Sequence, residues 1–139
     1  IIVKLLPFDD IPKYLSLGDI AFAIREPKLS MQGVAPIKLG EYLLIGIPTI
    51  ASSGVGDTES LLRDKNFCFL YKHNAKDSLE NAIKFIEKSG EFDKVGIQKF
   101  GIDNFSIEIS AASYTKALDH FSWKYFTSQN TVEMVPVAA

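Results

Sequence analysis

Short apolar runs alternate with helical segments through the first 71 residues, and this alternation constrains the fold more than any other feature. The runs cover residues 1–6, 19–24, 47–52 and 66–71, and each has the length and composition of a buried strand. Helical segments between successive strands favour parallel pairing, because the chain must cross back before it can pair again. We therefore predict an α/β fold with a parallel sheet.

The fold is predicted to be Rossmann-like, with the helical segments flanking the parallel sheet. A long C-terminal helix follows. Asp10 and Asp57 precede two of the short helices and are expected to cap them. Gly46 and Gly101 are expected to end two others. Four strands are few for an open sheet of this kind, so we expect further strands upstream. The predicted helices cover residues 9–17, 36–45, 57–63, 77–88, 91–100 and 106–126.

The composition is that of an ordinary globular domain. Of the 139 residues, 47% are hydrophobic and 23% are charged, which excludes a disordered chain. The net charge of −2 predicts no basic surface for nucleic acid. Cys68 is the only cysteine, so an internal disulfide is excluded and a cytoplasmic location is favoured. No apolar run reaches the roughly 18 residues that a membrane-spanning helix needs.

Lys38 and Glu41 are the most informative charged residues. They stand three positions apart and so lie on one side of the predicted helix 36–45, while Leu39 and Leu43 lie on another side suited to the core. One interpretation is a solvated ion pair, which contributes a few tenths of a kcal/mol. The other gives Glu41 a pair of ligand hydroxyls and Lys38 a phosphate, at a helix start whose amides favour anions.

Residues 30–52 read Ser-Met-Gln-Gly-Val-Ala-Pro-Ile-Lys-Leu-Gly-Glu-Tyr-Leu-Leu-Ile-Gly-Ile-Pro-Thr-Ile-Ala-Ser. This segment resembles the signature of retaining glycosyltransferases with the GT-B fold (glycosyl transferases group 1, family 4-like): a loop, a helix carrying Glu, then Gly-x-Pro-x-Ile-Ala-Ser. The resemblance continues through Gly-Val-Gly-Asp-Thr-Glu at residues 54–59 and Phe-Ser-Ile-Glu at residues 105–108. It covers roughly residues 1–126.

The resemblance implies that the chain is the C-terminal, donor-binding domain of such an enzyme. In the family, the helix glutamate accepts hydrogen bonds from the ribose hydroxyls of a nucleotide-diphospho-sugar, and that role falls on Glu41. The family's first glutamate, which seven intervening residues separate from the second, falls at Gly33, so this chain departs from the pattern there. The implied donor-binding residues are Gly33, Val34, Ala35, Ile37, Lys38, Glu41 and Glu59. For Glu59, which lies in the first turn of its predicted helix, favourable alignment with the helix dipole is the alternative.

The resemblance further implies transfer with retention, without a metal or other cofactor, and with no catalytic residue in this chain. The basic residues that clamp the diphosphate and the acceptor site belong to upstream parts, so the partner would be an N-terminal domain of the same chain and the isolated piece would be inactive. We expect a nucleotide-sugar-binding domain over residues 1–127, truncated at its N-terminus, and a tail over residues 128–139. A nucleotide-sugar 2-epimerase and a non-catalytic module of the same fold remain alternatives.

Other reactive or apolar side chains have simpler interpretations. His73 and His120 lack the spacing of metal ligands, and Cys68 lies in an apolar strand where an inert core thiol is expected. Several aromatic side chains crowd the end of the last helix, and they predict an apolar patch through which copies of the chain could associate. These aromatic residues are Phe121, Trp123, Tyr125 and Phe126.

Overall fold

The computed structural model describes the backbone of residues 3–128 and the side chains of residues 3–121. Three parallel strands form one sheet in the order β1-β2-β3, and their register places Ala21 beside Thr49 and Thr49 beside Cys68. The α/β fold, the parallel sheet flanked by helices and the long C-terminal helix are thereby confirmed. The strands are β1 (Ala21–Ala23), β2 (Thr49–Ser52) and β3 (Cys68–Tyr71), and the α-helices are α1 (Ile11–Leu15), α2 (Ile37–Ile45), α3 (Thr58–Leu62), α4 (Ser78–Glu87), α5 (Lys94–Phe105) and α6 (Ile107–Ser128). Three 3-10 turns lie at Phe8–Asp10, Leu29–Gly33 and Ser89–Glu91.

The core lies around the central strand β2, all four residues of which are buried. Burial on both faces is expected of a parallel strand with a neighbour on each side. Apolar side chains of α2, α3 and α5 pack against the sheet and exclude water from it. The buried cluster consists of Leu39, Leu43, Ala51, Leu62, Cys68 and Ile97.

Helices α2 and α5 approach each other closely because glycines lie at their contact. A Cβ atom at Gly101 would come within 2.5 Å of the Leu43 carbonyl group, and one at Gly40 would come within 3.2 Å of the Phe105 ring. The prediction that Gly101 ends its helix was wrong, since α5 continues to Phe105. Gly101 is instead the position at which the backbone of α2 fits against α5.

The prediction of a buried strand at residues 1–6 was also wrong. Residues 3–6 form no strand, and Val3 and Leu5 are 93% and 99% exposed; residues 1 and 2 lie outside the described part of the chain. A strand needs a hydrogen-bonded neighbour and an apolar surface for its side chains. Residues 3–6 have the composition of a strand, but they have no neighbouring strand and no apolar surface to cover their side chains.

The observed helix ends agree only in part with those predicted from the sequence. Gly46 adopts a left-handed conformation (φ 84°) after α2, and the amides of Gly46 and Ile47 donate to the carbonyls of Leu43 and Tyr42, both at 3.0 Å. This is the glycine stop that the sequence predicted. The side chains of Asp10 and Asp57 stand before α1 and α3 but make no capping hydrogen bond, so their predicted capping was wrong. Asp10 and Asp57 have ψ values of −17° and 7°, whereas a capping side chain requires an extended backbone at its own residue.

Contacts divide the chain into two compact units, one ending at Ser106 and the other beginning with α6 at Ile107. The predicted domain of residues 1–127 stays a prediction. A tail is predicted for residues 128–139. Ser128 is the last residue of α6, and residues 129–139 lie outside the described part of the chain. Among residues 3–128, no helix combines the length and apolar character that crossing a bilayer requires.

Candidate functional site

A groove of about 560 Å³ opens beyond the carboxyl end of β1. Three pieces of chain form it: the exit of β1 up to Arg25, the junction at which the loop from residue 34 enters α2, and the start of α3 with Thr58. In open parallel sheets, this edge is where ligands bind, because the loops that follow the strands converge there. We call this feature the α2 groove.

Most of the residues that the resemblance implied meet in the α2 groove, and two do not. Gly33 ends the 3-10 turn before the groove, and a Cβ atom built there would meet nothing within 4 Å. Glu59 lies on α3 and does not line the groove. The residues that do line it are Val34, Ala35, Ile37, Lys38 and Glu41.

Lys38 and Glu41 form an ion pair at the groove, with 2.8 Å between Lys38 Nζ and Glu41 Oε2. The lysine side chain is 60% exposed and the glutamate 33% exposed, so both remain accessible to a ligand. The hydrogen bond to Glu41 and its charge raise the pKa of Lys38, which keeps the ammonium protonated well above neutral pH. The pair therefore presents one cation and one carboxylate to the same groove.

Glu41 also borders a second, smaller pocket of about 160 Å³ between α1 and α2. Its walls are apolar, with Phe8 and Ile11 on one side and Leu44 on the other. No sequence pattern predicts this pocket, because residues 8–15 and 41–45 come together only when α1 packs on α2. We call it the α1 pocket. One carboxylate thus stands between a groove that also holds Lys38 and an apolar pocket.

The turn after β2 shapes the loop that enters α2. The Gly56 amide donates to the Met31 carbonyl at 2.9 Å, and Gly56 has a left-handed φ of 50°. A Cβ atom at Gly56 would overlap the Val34 carbonyl oxygen. The glycine-rich turn therefore determines where the groove residues at positions 34–36 lie.

No family model, curated protein or solved structure matches this chain.

Ser52 joins the ends of the three strands beneath the groove. The Arg25 amide, just after β1, donates to Ser52 Oγ at 2.8 Å, and His73 Nε2, just after β3, lies 3.0 Å from the same oxygen. The His73 ring also meets Tyr71 edge-on, with 5.1 Å between the ring centroids. The sequence places Ser52 at the end of a predicted strand and the start of a turn, and a polar residue at the end of an apolar strand could have suggested this role.

Replacing Ser52 with alanine is expected to lower the free energy of unfolding by about 1–3 kcal/mol, because the Arg25 amide and the His73 ring lose a buried partner. Urea denaturation of the two proteins measures the difference. Ser60→Ala is the matched control, since the Ser60 hydroxyl donates to the Asp57 carbonyl at an exposed site; we expect it to change the free energy by less than about 0.5 kcal/mol. Equal effects of the two substitutions would contradict the role of Ser52.

The Glu59 carboxylate has two hydrogen-bond partners near the turn between β2 and α3. Ser53 Oγ donates to Glu59 Oε2 at 2.8 Å, and Arg63 Nη2 donates to Glu59 Oε1 at 2.9 Å. These hydrogen bonds, with the Ser53 bond first, lower the pKa of Glu59. The carboxylate is therefore charged at neutral pH and holds α3 to the turn; its implied contact with the donor stays a prediction.

The remaining reactive side chains give the site no further chemistry. Burial raises the pKa of the Cys68 thiol to about 12, so the reactive thiolate form is scarce at neutral pH. This agrees with the core position expected for Cys68. Among the side chains that the structure describes, no group of three or more His, Cys, Asp or Glu residues could hold a metal ion.

Proposed function

We propose that the α2 groove and the α1 pocket together bind the nucleotide part of a nucleotide-diphospho-sugar, as the donor-binding domain of a retaining GT-B glycosyltransferase. The observation that carries the proposal is the position of Glu41, which borders both cavities. A carboxylate there can accept hydrogen bonds from two neighbouring ribose hydroxyls while the base and the diphosphate extend to opposite sides. Such charge-assisted bonds are about twice as strong as neutral ones.

The diphosphate belongs in the α2 groove on this proposal. Lys38 supplies a cation there, and the first-turn amides of α2 at Ile37 and Lys38 have no partner within the helix. Free amides and the helix dipole favour an anion at this end. When a donor binds, Lys38 can shift from Glu41 towards a phosphate oxygen, which leaves the carboxylate for the ribose.

The base belongs in the α1 pocket. Its volume of about 160 Å³ is close to that of cavities that hold a single aromatic ring. Phe8 offers an exposed aromatic surface at its rim, and Leu44 offers an apolar wall. An apolar pocket beside a few polar groups is the usual composition of a nucleotide site.

The chemical contribution of this chain is to bind the donor and to stabilise the departing diphosphate. Lys38 and the amides at the start of α2 would oppose the negative charge that grows on the leaving group. We assign no catalytic residue to this chain, and we assign the acceptor site to an N-terminal domain of a longer, cytoplasmic enzyme. The chain alone should therefore bind a nucleotide without transferring a sugar.

Replacing Glu41 with alanine is expected to weaken nucleotide binding by about 1.5–3 kcal/mol, a roughly 10- to 150-fold rise in Kd, because a hydrogen-bonded carboxylate is lost. Titration calorimetry of the chain with UDP, GDP and ADP measures the change and identifies the base. Glu80→Ala is the matched control, since it removes an exposed carboxylate of α4 that lines neither the groove nor the pocket. Unchanged affinity in Glu41→Ala, or no binding of any of the nucleotides by the wild type, would contradict the proposal.

Gly33 favours a second candidate, a binding module of the same fold without catalysis. The family carries at this position a glutamate near the transferred sugar, and this chain has no side chain there although the surroundings leave room for one. On this alternative, Glu41 still binds the nucleotide, but a free nucleoside diphosphate and its sugar conjugate bind equally well. Calorimetry with UDP against UDP-glucose, or the corresponding guanosine pair, distinguishes the two candidates.

A further inference from the structure

One face of helix α6 carries an apolar stripe with the spacing of a coiled coil. The residues of the stripe follow one another at intervals of four, three, four and three, and Tyr125 continues the spacing in the sequence. Alternating intervals of three and four keep side chains on one face of a helix and are the pattern by which two helices pair. We call this face the α6 stripe; it consists of Ile107, Ala111, Tyr114, Leu118 and Phe121.

The large residues of the α6 stripe are exposed to solvent. Ile107 is 82% exposed, Tyr114 73%, Leu118 67% and Phe121 64%. The opposite side of the helix is mixed, with Lys116 and His120 beside Ile109, which is 43% exposed. A helix of this length gains most of its stability from packing of its apolar face, so an uncovered stripe indicates that a partner covers it.

We propose that the α6 stripe pairs with the α6 stripe of a second copy of this chain, with the two helices antiparallel. In an antiparallel pair with its two-fold axis near residue 116, Ala111 of one copy faces Phe121 of the other, and Tyr114 faces Leu118. Each layer then joins an aliphatic side chain to an aromatic one, and the volumes are even along the seam. A parallel pair would place alanine on alanine and phenylalanine on phenylalanine, leaving a gap in one layer and a clash in another.

The area of the α6 stripe fits a dimer of this kind. The helix has 22 residues and is about 33 Å long. At roughly 150–250 Å² for a large side chain, the four exposed residues present on the order of 600 Å². Two copies together bring about 1,200 Å² into contact, which is the lower end of the range for specific interfaces. The pairing is also self-complementary, as a two-fold symmetric dimer requires.

Sedimentation velocity of the 139-residue chain tests the pairing. We expect a dimer of twice 15.4 kDa at tens of micromolar, and a monomer for Leu118→Lys, which places a charge in the middle of the seam. Lys116→Glu is the control on the opposite face and should leave the dimer unchanged. A monomeric wild type, or a dimer that persists in Leu118→Lys, would overturn the proposal. Circular dichroism confirms that the variants keep their helices.

Disulfide cross-linking tests the antiparallel orientation. When the Ala111→Cys and Phe121→Cys proteins are mixed and oxidised, the antiparallel pair predicts a cross-link between the two variants. The parallel pair predicts cross-links of Ala111→Cys with itself. The native Cys68 is buried and does not compete. Cross-linking of Ala111→Cys mainly with itself would overturn the antiparallel arrangement.

Discussion

Replacing Gly101 with alanine is expected to lower the free energy of unfolding by about 2–3 kcal/mol. In an exposed helix the same change would stabilise the protein by about 1 kcal/mol, because alanine is the better helix former. Here the new methyl group would lie 2.5 Å from the carbonyl carbon and oxygen of Leu43, within the backbone of α2. The two helices must separate to admit it, and the core between Leu43 and Ile97 loosens with them.

Chemical denaturation of the wild type and of Gly101→Ala measures this loss. Gly90→Ala is the matched control, because a Cβ atom at Gly90 meets nothing within 4 Å and its φ is not positive. We expect the control to change the free energy of unfolding by less than about 1 kcal/mol, and in the stabilising direction. A Gly101→Ala protein as stable as the wild type would show that α2 and α5 do not pack at this distance.

Replacing Gly56 with alanine is expected to affect both stability and nucleotide binding. A left-handed φ of 50° costs a residue with a side chain about 1 kcal/mol or more, and the added methyl group would also overlap the Val34 carbonyl oxygen. We expect the free energy of unfolding to fall by about 2–3 kcal/mol. Because Val34 then moves, the start of α2 at Ile37 moves as well, and nucleotide affinity should fall about tenfold or more.

Two measurements separate the effects at Gly56. Denaturation gives the loss of stability, and calorimetry below the unfolding transition gives the affinity of the folded protein. Gly33→Ala is the control within the same loop, since a Cβ atom there has open space and φ is not positive; neither stability nor nucleotide affinity should change much. A stable Gly56→Ala protein with wild-type affinity would show that the turn does not position the groove.

The secondary structure could be predicted largely from local patterns. The sequence predicts helix α2 from Pro36 at its start and Gly46 at its end and assigns Leu39 and Leu43 to the core, and the structure confirms these positions. These signals lie within one or two turns of chain, so neighbouring residues are enough to specify them. The run at residues 1–6 shows the opposite case, because its composition favours a strand but a strand also needs a neighbour.

The candidate site was predicted in part. The motif brought Lys38 and Glu41 together on one side of α2, and the structure places them 2.8 Å apart at a groove. Glu59 was grouped with them by its place in a motif, yet its carboxylate faces Ser53 and Arg63 instead. Two residues of one sequence motif need not point towards the same site. Here the turn between β2 and α3 decides which way the Glu59 side chain points.

The sequence by itself determined the order of strands and helices over residues 19–71 and the placement of Lys38 and Glu41 on one side of α2, because each depends on residues close together in the chain. The parallel pairing followed from the helical segments that separate the strands. Tertiary structure alone decided that Gly101 is a contact rather than a helix end, that Ser52 joins Arg25 to His73, and that Glu41 stands between two cavities. Each of these depends on residues roughly 20 to 60 positions apart. Their meeting depends on how whole helices and strands pack, and no local pattern records that packing.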